Sequence, residues 1–177
     1  LWSRGLGDVY KRQREYRALG IATALSPQID LSTEPRWMRF ADTFGEHTRL
    51  AVEMTKAYCD GFQTTEGSAD GWGEESVNTM VKHFPGGGPC EGGRDAHYAY
   101  GKYAVYPGGN FEEHLRPFSE GAFALEGGTQ SASAVMPYYT ISYGQDKENG
   151  ENVGNSFSRY LIGNLLREQL GYDGVVC

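Results

Sequence analysis

The sequence predicts an α/β fold built on a parallel sheet, and three observations lead there. Strand-like and helix-like patterns alternate along the chain, helical stripes close on glycines, and the residues best suited to chemistry fall where strands end. The succession runs strand, helix, strand, helix, strand, helix, strand, in units of about forty to fifty residues. Right-handed crossovers of this kind suit either a (β/α)8 barrel or a doubly wound sheet. Both place chemistry at the C-terminal edge of the strands.

The first strand is expected in the apolar segment Gly20-Ile21-Ala22-Thr23-Ala24-Leu25, which leads to the polar Gln28 and Asp30. A helix follows over residues 46–60, with Leu50, Met54, Ala57 and Tyr58 on one stripe and Gly61 as a stop. Residues 77–84 read as a strand running into Lys82-His83, followed by a glycine-rich loop over residues 86–109. Asn110 is placed to cap the next helix. Glu112 and Glu113 sit in its first turn, where carboxylates suit the positive helix end. Pro117 starts a fresh helix carrying Phe118, Ala122 and Leu125, which Gly127 ends. Residues 131–136 form the next strand. The helix over 156–170 is marked by Phe157, Leu161 and Leu165 with Gly171 just past its end, and Val175-Val176-Cys177 opens a further strand.

Composition removes several function classes. A net charge of -7 argues against a nucleic-acid partner, because phosphate binding needs a basic face. A mean hydropathy of -0.54 and the lack of a long apolar run exclude a transmembrane helix. Cys59, Cys90 and Cys177 are odd in number and show no CxxC spacing, so neither a disulfide framework nor a structural zinc site is expected. The chain is rich in Tyr (12) and Gly (25), which permits a sugar site of aromatic faces and polar loops.

The informative stretch is Val81-Lys82-His83-Phe84-Pro85-Gly86-Gly87-Gly88, continuing through Glu91-Gly92-Gly93-Arg94-Asp95. Adjacent strand residues point to opposite faces, so Lys82 and His83 can share a pocket only where the strand ends and the backbone turns. Pro85 and the glycines supply that turn. An ammonium and an imidazole together can hold vicinal hydroxyls of a sugar ring by hydrogen bonds. Other patterns fail. Residues 87–93 imitate a phosphate-binding loop but place Gly93 where its Lys is required. His83, Cys90 and His97 match no common metal spacing, and no metal or other cofactor is implied. Tyr98, Tyr100, Tyr103 and Tyr106 either stack on substrate or pack the long loop. Trp37 reads as core beside Arg39, and Trp72 is open to either role.

Lys82-His83-Phe84-Pro85-Gly86 resembles the Lys-His-Phe-x-Gly signature of glycoside hydrolase family 3. Four further blocks, in order, are similar to that family: residues 25–46 with Pro35-Arg36-Trp37-Met38-Arg39, Phe111-Glu112-Glu113-His114-Leu115-Arg116-Pro117-Phe118, Ala134-Val135-Met136-Pro137-Tyr138-Tyr139, and Leu165-Leu166-Arg167 with Gly171-Tyr172-Asp173-Gly174-Val175-Val176. The resemblance implies a partial (β/α)8 TIM-type barrel, with about half of the barrel present in residues 14–177. It implies an exo-acting retaining β-glycosidase of the β-glucosidase type, acting on β-linked oligosaccharides or glycosides. Lys82, His83 and Arg39 correspond to its sugar-binding positions. The nucleophile Asp is expected just beyond Cys177 and the acid/base in a later domain. A retaining mechanism needs two carboxyl groups about 5 Å apart, so the chain alone is expected to be inactive.

Departures keep alternatives open. Met38 stands where the family usually has Gly, which can alter the loop presenting Arg39. Gly87 replaces the His of the Lys-His-x-Pro-Gly-His-Gly signature of the family's β-N-acetylglucosaminidase branch. That branch carries an Asp-x-His acid/base pair, and Asp95-Ala96-His97 offers a weaker version slightly later in the chain. β-Xylosidase activity and an inactive carbohydrate-binding relative are the other readings. No signal peptide is visible, although family resemblance is compatible with a periplasmic or secreted protein. Asp8-Val9-Tyr10-Lys11-Arg12-Gln13 resembles a translated sequencing adapter, so residues 1–13 are expected to stand outside the native fold.

Overall fold

Among the described residues, six strands organise the chain: β1 (Thr23–Ala24), β2 (Asn78–Phe84), β3 (Tyr103–Ala104), β4 (Ala134–Pro137), β5 (Ile141–Ser142) and β6 (Val175–Val176). The computed structural model describes residues 2–177, with side chains described from Asp8 onward; Leu1 lies outside the described residues. The main sheet has the order β1-β2-β4-β6 and every pairing in it is parallel. Each crossover therefore adds its strand on the same side, which is the winding of a (β/α)8 barrel. A doubly wound sheet would reverse direction. The chain forms a four-stranded arc of such a barrel, and β3 pairs with β5 in a small parallel ribbon above it.

β1 is short because Ser26-Pro27 interrupts the ladder, Pro having no N–H to donate. Pairing then resumes: Lys82 N donates to Pro27 O (3.2 Å) and Ile29 N donates to Lys82 O (2.8 Å). This second stretch carries Gln28 and Asp30 alongside the end of β2.

Helix α1 spans Trp2–Ala18 and helix α2 spans Thr48–Gln63. α1 runs through the boundary expected at residue 13. Gln13 is buried and its Nε2 donates to Phe62 O (2.8 Å) and Thr64 O (3.0 Å), while Tyr16 packs edge-on against Phe62. The expected stripe on α2 is corrected. Leu50 and Met54 are exposed, and the buried face is Ala51, Val52, Thr55, Cys59 and Phe62. Small residues face inward because the neighbouring helical layer comes close: a Cβ on Gly121 would meet Thr55 at 3.2 Å. Nor does Gly61 stop α2, which continues to Gln63.

Helix α3 spans Phe111–Arg116, without a side-chain cap bond from Asn110, and passes directly into a π-helical segment over Pro117–Ala122. Phe118 and Ala122 are buried as expected. The last helix, Arg159–Gln169, is wide-turned and π-helical, and Ser158 caps it by accepting from Leu161 N (3.1 Å). Leu161, Leu165 and Leu166 enter the core. Phe157 does not: it lies ahead of the cap in a short turn and is 85% exposed. Together with Val81, Phe84, Phe118 and Val135, these leucines fill the layer between sheet and helices.

At the N-terminal edge of the sheet one side chain joins three elements. Gln63 Nε2 donates to Thr129 Oγ1 (3.0 Å) and Ser131 O (2.9 Å), and its Oε1 accepts from Thr79 Oγ1 (2.6 Å) and Ser133 N (3.0 Å). Buried amides cost free energy unless satisfied, and this one is. With that edge locked, the opposite one is free to present side chains. No helix of the described residues is long and apolar enough to cross a membrane.

Candidate functional site

β2 delivers Lys82 and His83 to the C-terminal edge, where its register with β4 shifts between Lys82 and Phe84. The Lys82–His83 and Phe84–Pro85 peptides are cis. Beyond them Gly86 takes φ +138°, a conformation that side chains resist, and Gly87 and Gly88 lie tight against their neighbours.

His83 is 4% exposed and bonded at both ring nitrogens. Arg39 Nη1 lies 3.1 Å from Nε2, and Asp30 Oδ2 lies 2.9 Å from Nδ1. A guanidinium only donates, so Nε2 must accept and Nδ1 must carry the hydrogen that Asp30 takes. Asp30 Oδ1 also accepts from the His83 backbone N–H (3.1 Å) and from the Gly87 N–H. Burial acts to raise the Asp30 carboxyl, but the His83 ring and these two amides outweigh it and hold it below its ordinary value. Arg39 is clamped from its other side, donating through Nη2 to Gln28 Oε1 (3.1 Å) while Gln28 Nε2 donates to Arg39 O (3.3 Å). The result is a continuous chain, Gln28–Arg39–His83–Asp30.

Lys82 is half-buried beside it. Burial and the Arg39 guanidinium push the Lys82 ammonium below its ordinary value, against the pull of Asp30 and Asp42. Its Nζ has no hydrogen-bond partner among the described residues. A desolvated cation without a partner, next to an arginine, is suited to an arriving polyol. Below, Tyr138 is fully buried, its ring 4.7 Å from the His83 ring and edge-on to the buried Trp37. Met38 is 69% exposed, so replacing Gly there leaves Arg39 free to reach His83.

The three residues expected to bind sugar thus converge. Asp95 and His97 form their own pair, with His97 Nδ1 at 2.6 Å from Asp95 Oδ1, and they make no hydrogen bond to Lys82, His83 or Arg39. His97 instead meets Tyr139 edge-on at 5.2 Å. Tyr106 packs inside the loop against Phe111 and His114. Tyr98 and Tyr100 remain exposed, and Tyr103 pairs with Tyr143. Trp72 sits in a loop whose Gly71 packs against Gly127 and Thr129, at the far edge of the sheet. Among the described residues no group of three His, Cys, Asp or Glu side chains could hold a metal ion.

The sequence assigned no role to Gln28 or His114, and marked Tyr138 only within the Met136–Tyr139 segment at a strand end. Gln28 and Asp30 are two residues apart on extended backbone, and that spacing alone places them on one face. His114 carried no such signal. It is fully buried under Gly86, its Nε2 3.5 Å from Thr33 Oγ1, and burial pushes its pKa down to about 4.

Comparison with known proteins identifies the family and the fold. Residues 9–177 match the model of the glycosyl hydrolase family 3 N-terminal domain. Beta-glucosidase C of Emericella nidulans is 49% identical over 93% of this chain, and the periplasmic beta-glucosidase/beta-xylosidase of Dickeya chrysanthemi is 42% identical over 98%. The chain spans about a quarter of the length of these relatives, 24% and 25% respectively. A family 3 beta-N-acetylglucosaminidase structure from Paenibacillus sp. FPU-7 superposes with a TM-score of 0.76 at 26% identity, covering 97% of this chain and 29% of that one. The chain belongs to glycosyl hydrolase family 3, within its N-terminal domain.

Proposed function

We propose that this chain supplies the sugar-gripping edge of an exo-acting retaining β-glycosidase of the β-glucosidase type. The observation that carries the reading is the Gln28–Arg39–His83–Asp30 chain beside the half-buried Lys82. Arg39 has its carbonyl and one face tied down, so its remaining N–H groups are held in one direction instead of being ordered by substrate. Lys82 adds up to three donors, with no acceptor among the described residues to compete. Donors fixed in this way match the hydroxyl oxygens of a terminal, non-reducing pyranose, and a sugar held at several hydroxyls is presented with its glycosidic bond outward.

On this reading the catalytic carboxylates would come from residues other than 1–177. Val176 pairs with Val135, and Cys177 N donates to Val135 O (3.1 Å). An Asp just beyond Cys177 would therefore emerge level with Pro137, on the same edge as Lys82 and His83. From there it would attack the anomeric carbon, and an acid from a later domain would protonate the leaving oxygen.

The β-N-acetylglucosaminidase alternative draws support from the Asp95–His97 hydrogen bond. Against it stands Gly87, where a Cβ would meet the Tyr138 ring at 2.9 Å and Asp30 Oδ1 at 3.1 Å. That position has no room for the histidine of the acetylglucosaminidase branch. The test is to offer the protein carrying this domain aryl β-glucoside, β-xyloside and β-N-acetylglucosaminide, and to follow the first-formed product by NMR. Fastest turnover of glucoside with the β-anomer appearing first is expected. An α-anomer first, or preference for the acetylglucosaminide, overturns the reading; binding without turnover favours the inactive relative.

A further inference from the structure

We propose that Lys82 is a covalent capture site for short hydroxyaldehydes: its amine condenses with the aldehyde carbon while neighbouring donors hold the hydroxyls. The capture step stands on the surroundings of Lys82, and its effect on turnover rests on the glycosidase reading above. Lys82 differs from the other lysines of the chain in what its amine meets. Lys56 Nζ lies 2.7 Å from Glu126 Oε1, Lys147 Nζ donates to Gly144 O (2.6 Å), and Lys102 Nζ sits 5.1 Å from the Tyr103 ring centre. Lys11 is exposed on α1, whereas Lys82 is half-buried with no hydrogen-bond partner for Nζ among the described residues.

The sheet explains why. Lys82 pairs with Gln28 on one side and with Met136 on the other, and residues in register on neighbouring strands put their side chains on the same face. Its cross-strand neighbours are therefore an amide already committed to Arg39 and a thioether, and neither is a carboxylate. The charges that reach the amine are those of Arg39, Asp30 and Asp42. His83, next in the chain, is itself bonded to Arg39 and Asp30. Asp30 spends its oxygens on the His83 ring and on the amides of His83 and Gly87. Burial and the guanidinium thus prevail, and the Lys82 ammonium stays below its ordinary value. More of the amine is then neutral near pH 7, the form that attacks a carbonyl. Desolvation beside another cation is a common way in which a lysine becomes nucleophilic.

The step balances without an oxidant or reductant. The neutral Nζ adds its lone pair to the aldehyde carbon; the nitrogen gives up one proton as the carbonyl oxygen gains one. The new hydroxyl then leaves as water with the second nitrogen-bound hydrogen, and a C=N bond remains. A hydroxyaldehyde also carries hydroxyl oxygens close to that bond. Arg39 stands beside Lys82 with its guanidinium fixed by Gln28 and His83, so its remaining N–H groups are ready donors to those oxygens. An aldehyde without hydroxyls gains nothing from them. Once formed, the imine removes N–H donors from Lys82 and fills the space of the terminal sugar, so the grip is blocked.

The experiment offers glyceraldehyde to the protein carrying this domain at neutral pH, with sodium cyanoborohydride present to reduce and so trap the imine. Peptide mass mapping follows each lysine, and Lys56, Lys102 and Lys147 serve as internal references. Lys82 is expected to be labelled about tenfold faster than any of the three. With propanal, which has no hydroxyl, that preference is expected to shrink. Labelling of Lys82 no faster than the references overturns the proposal. An equal preference with propanal also overturns it as stated, because the hydroxyls would then play no part. Turnover of an aryl β-glucoside is expected to fall in step with the label on Lys82, and methyl β-glucoside to slow both. Preferential labelling that leaves turnover untouched would support the capture site and sink the reading of Lys82 as the sugar grip.

Discussion

His83 takes a hydrogen bond at one ring nitrogen and gives one at the other, so its neighbours decide its tautomer. Replacing Asp30 with Asn keeps the shape but turns an acceptor into a donor opposite Nδ1. Whichever way the amide is placed, either His83 or the Gly87 and His83 amides lose an acceptor. Hydrogen bonds to charged groups are worth about 1.5–3 kcal/mol. Asp30→Asn is therefore expected to lower kcat/KM on a β-glucoside by about 10- to 100-fold, about tenfold for each 1.4 kcal/mol. An unchanged value would show that Asp30 does not position His83.

His114 gives the pH dependence. Its pKa falls from an ordinary 6.5 to about 4 because burial disfavours the charged ring. As pH drops, the unfolded chain takes up this proton first. The contribution to stability is thus complete above 6.5 and is lost as pH falls from 6.5 toward 4, by about 3 kcal/mol at the lower end. Chemical denaturation across that window should show a steeper loss in wild type than in His114→Gln. Equal slopes would mean that His114 is protonated, or exposed, in the folded protein.

At the scale of elements, the glycine loop after β2 is the most constrained piece of backbone. A Cβ at Gly88 would collide with the Leu31 carbonyl, and Leu31 follows Asp30 directly. Gly88→Ala must push the two segments apart, which moves Asp30 away from His83. Overpacking of this kind costs about 1–3 kcal/mol, and the denaturation midpoint should fall accordingly with kcat/KM. A midpoint matching wild type would contradict the close approach of these loops. The glycines were visible in the sequence as turn formers, but the neighbour that each one admits was not. The face of α2 was misread for a related reason. Leu50 and Met54 make a good stripe by spacing, yet the layer above comes so close that Ala51, Thr55 and Cys59 are the residues that fit. Periodicity reports which residues are apolar, and close packing of helical layers can reverse which of them face inward.

At the scale of the whole chain, the alternation of strand and helix was enough for a parallel sheet, since β2, β4 and β6 lie close to their expected positions. Barrel against doubly wound sheet was not legible from periodicity, because strand order is a property of long-range pairing. Sequence similarity supplied it, and the order β1-β2-β4-β6 agrees. Of the proposed site, Lys82, His83 and Arg39 stand in recognisable motifs, whereas Gln28, which bonds Arg39, and Tyr138, which packs on His83, come from other segments and meet them only on folding. Gln13, at the end of the segment expected to stand outside the native fold, makes buried hydrogen bonds to the end of α2.

The central claim is that Lys82, presented with Arg39 and His83, grips the terminal sugar of a β-glycoside. The most direct test compares kcat/KM for an aryl β-glucoside between the wild-type protein carrying this domain and its Lys82→Ala variant. Loss of charge-assisted hydrogen bonds worth about 1.5–3 kcal/mol predicts a fall of about 100-fold with folding intact. Equal efficiency in the two proteins would contradict the assignment.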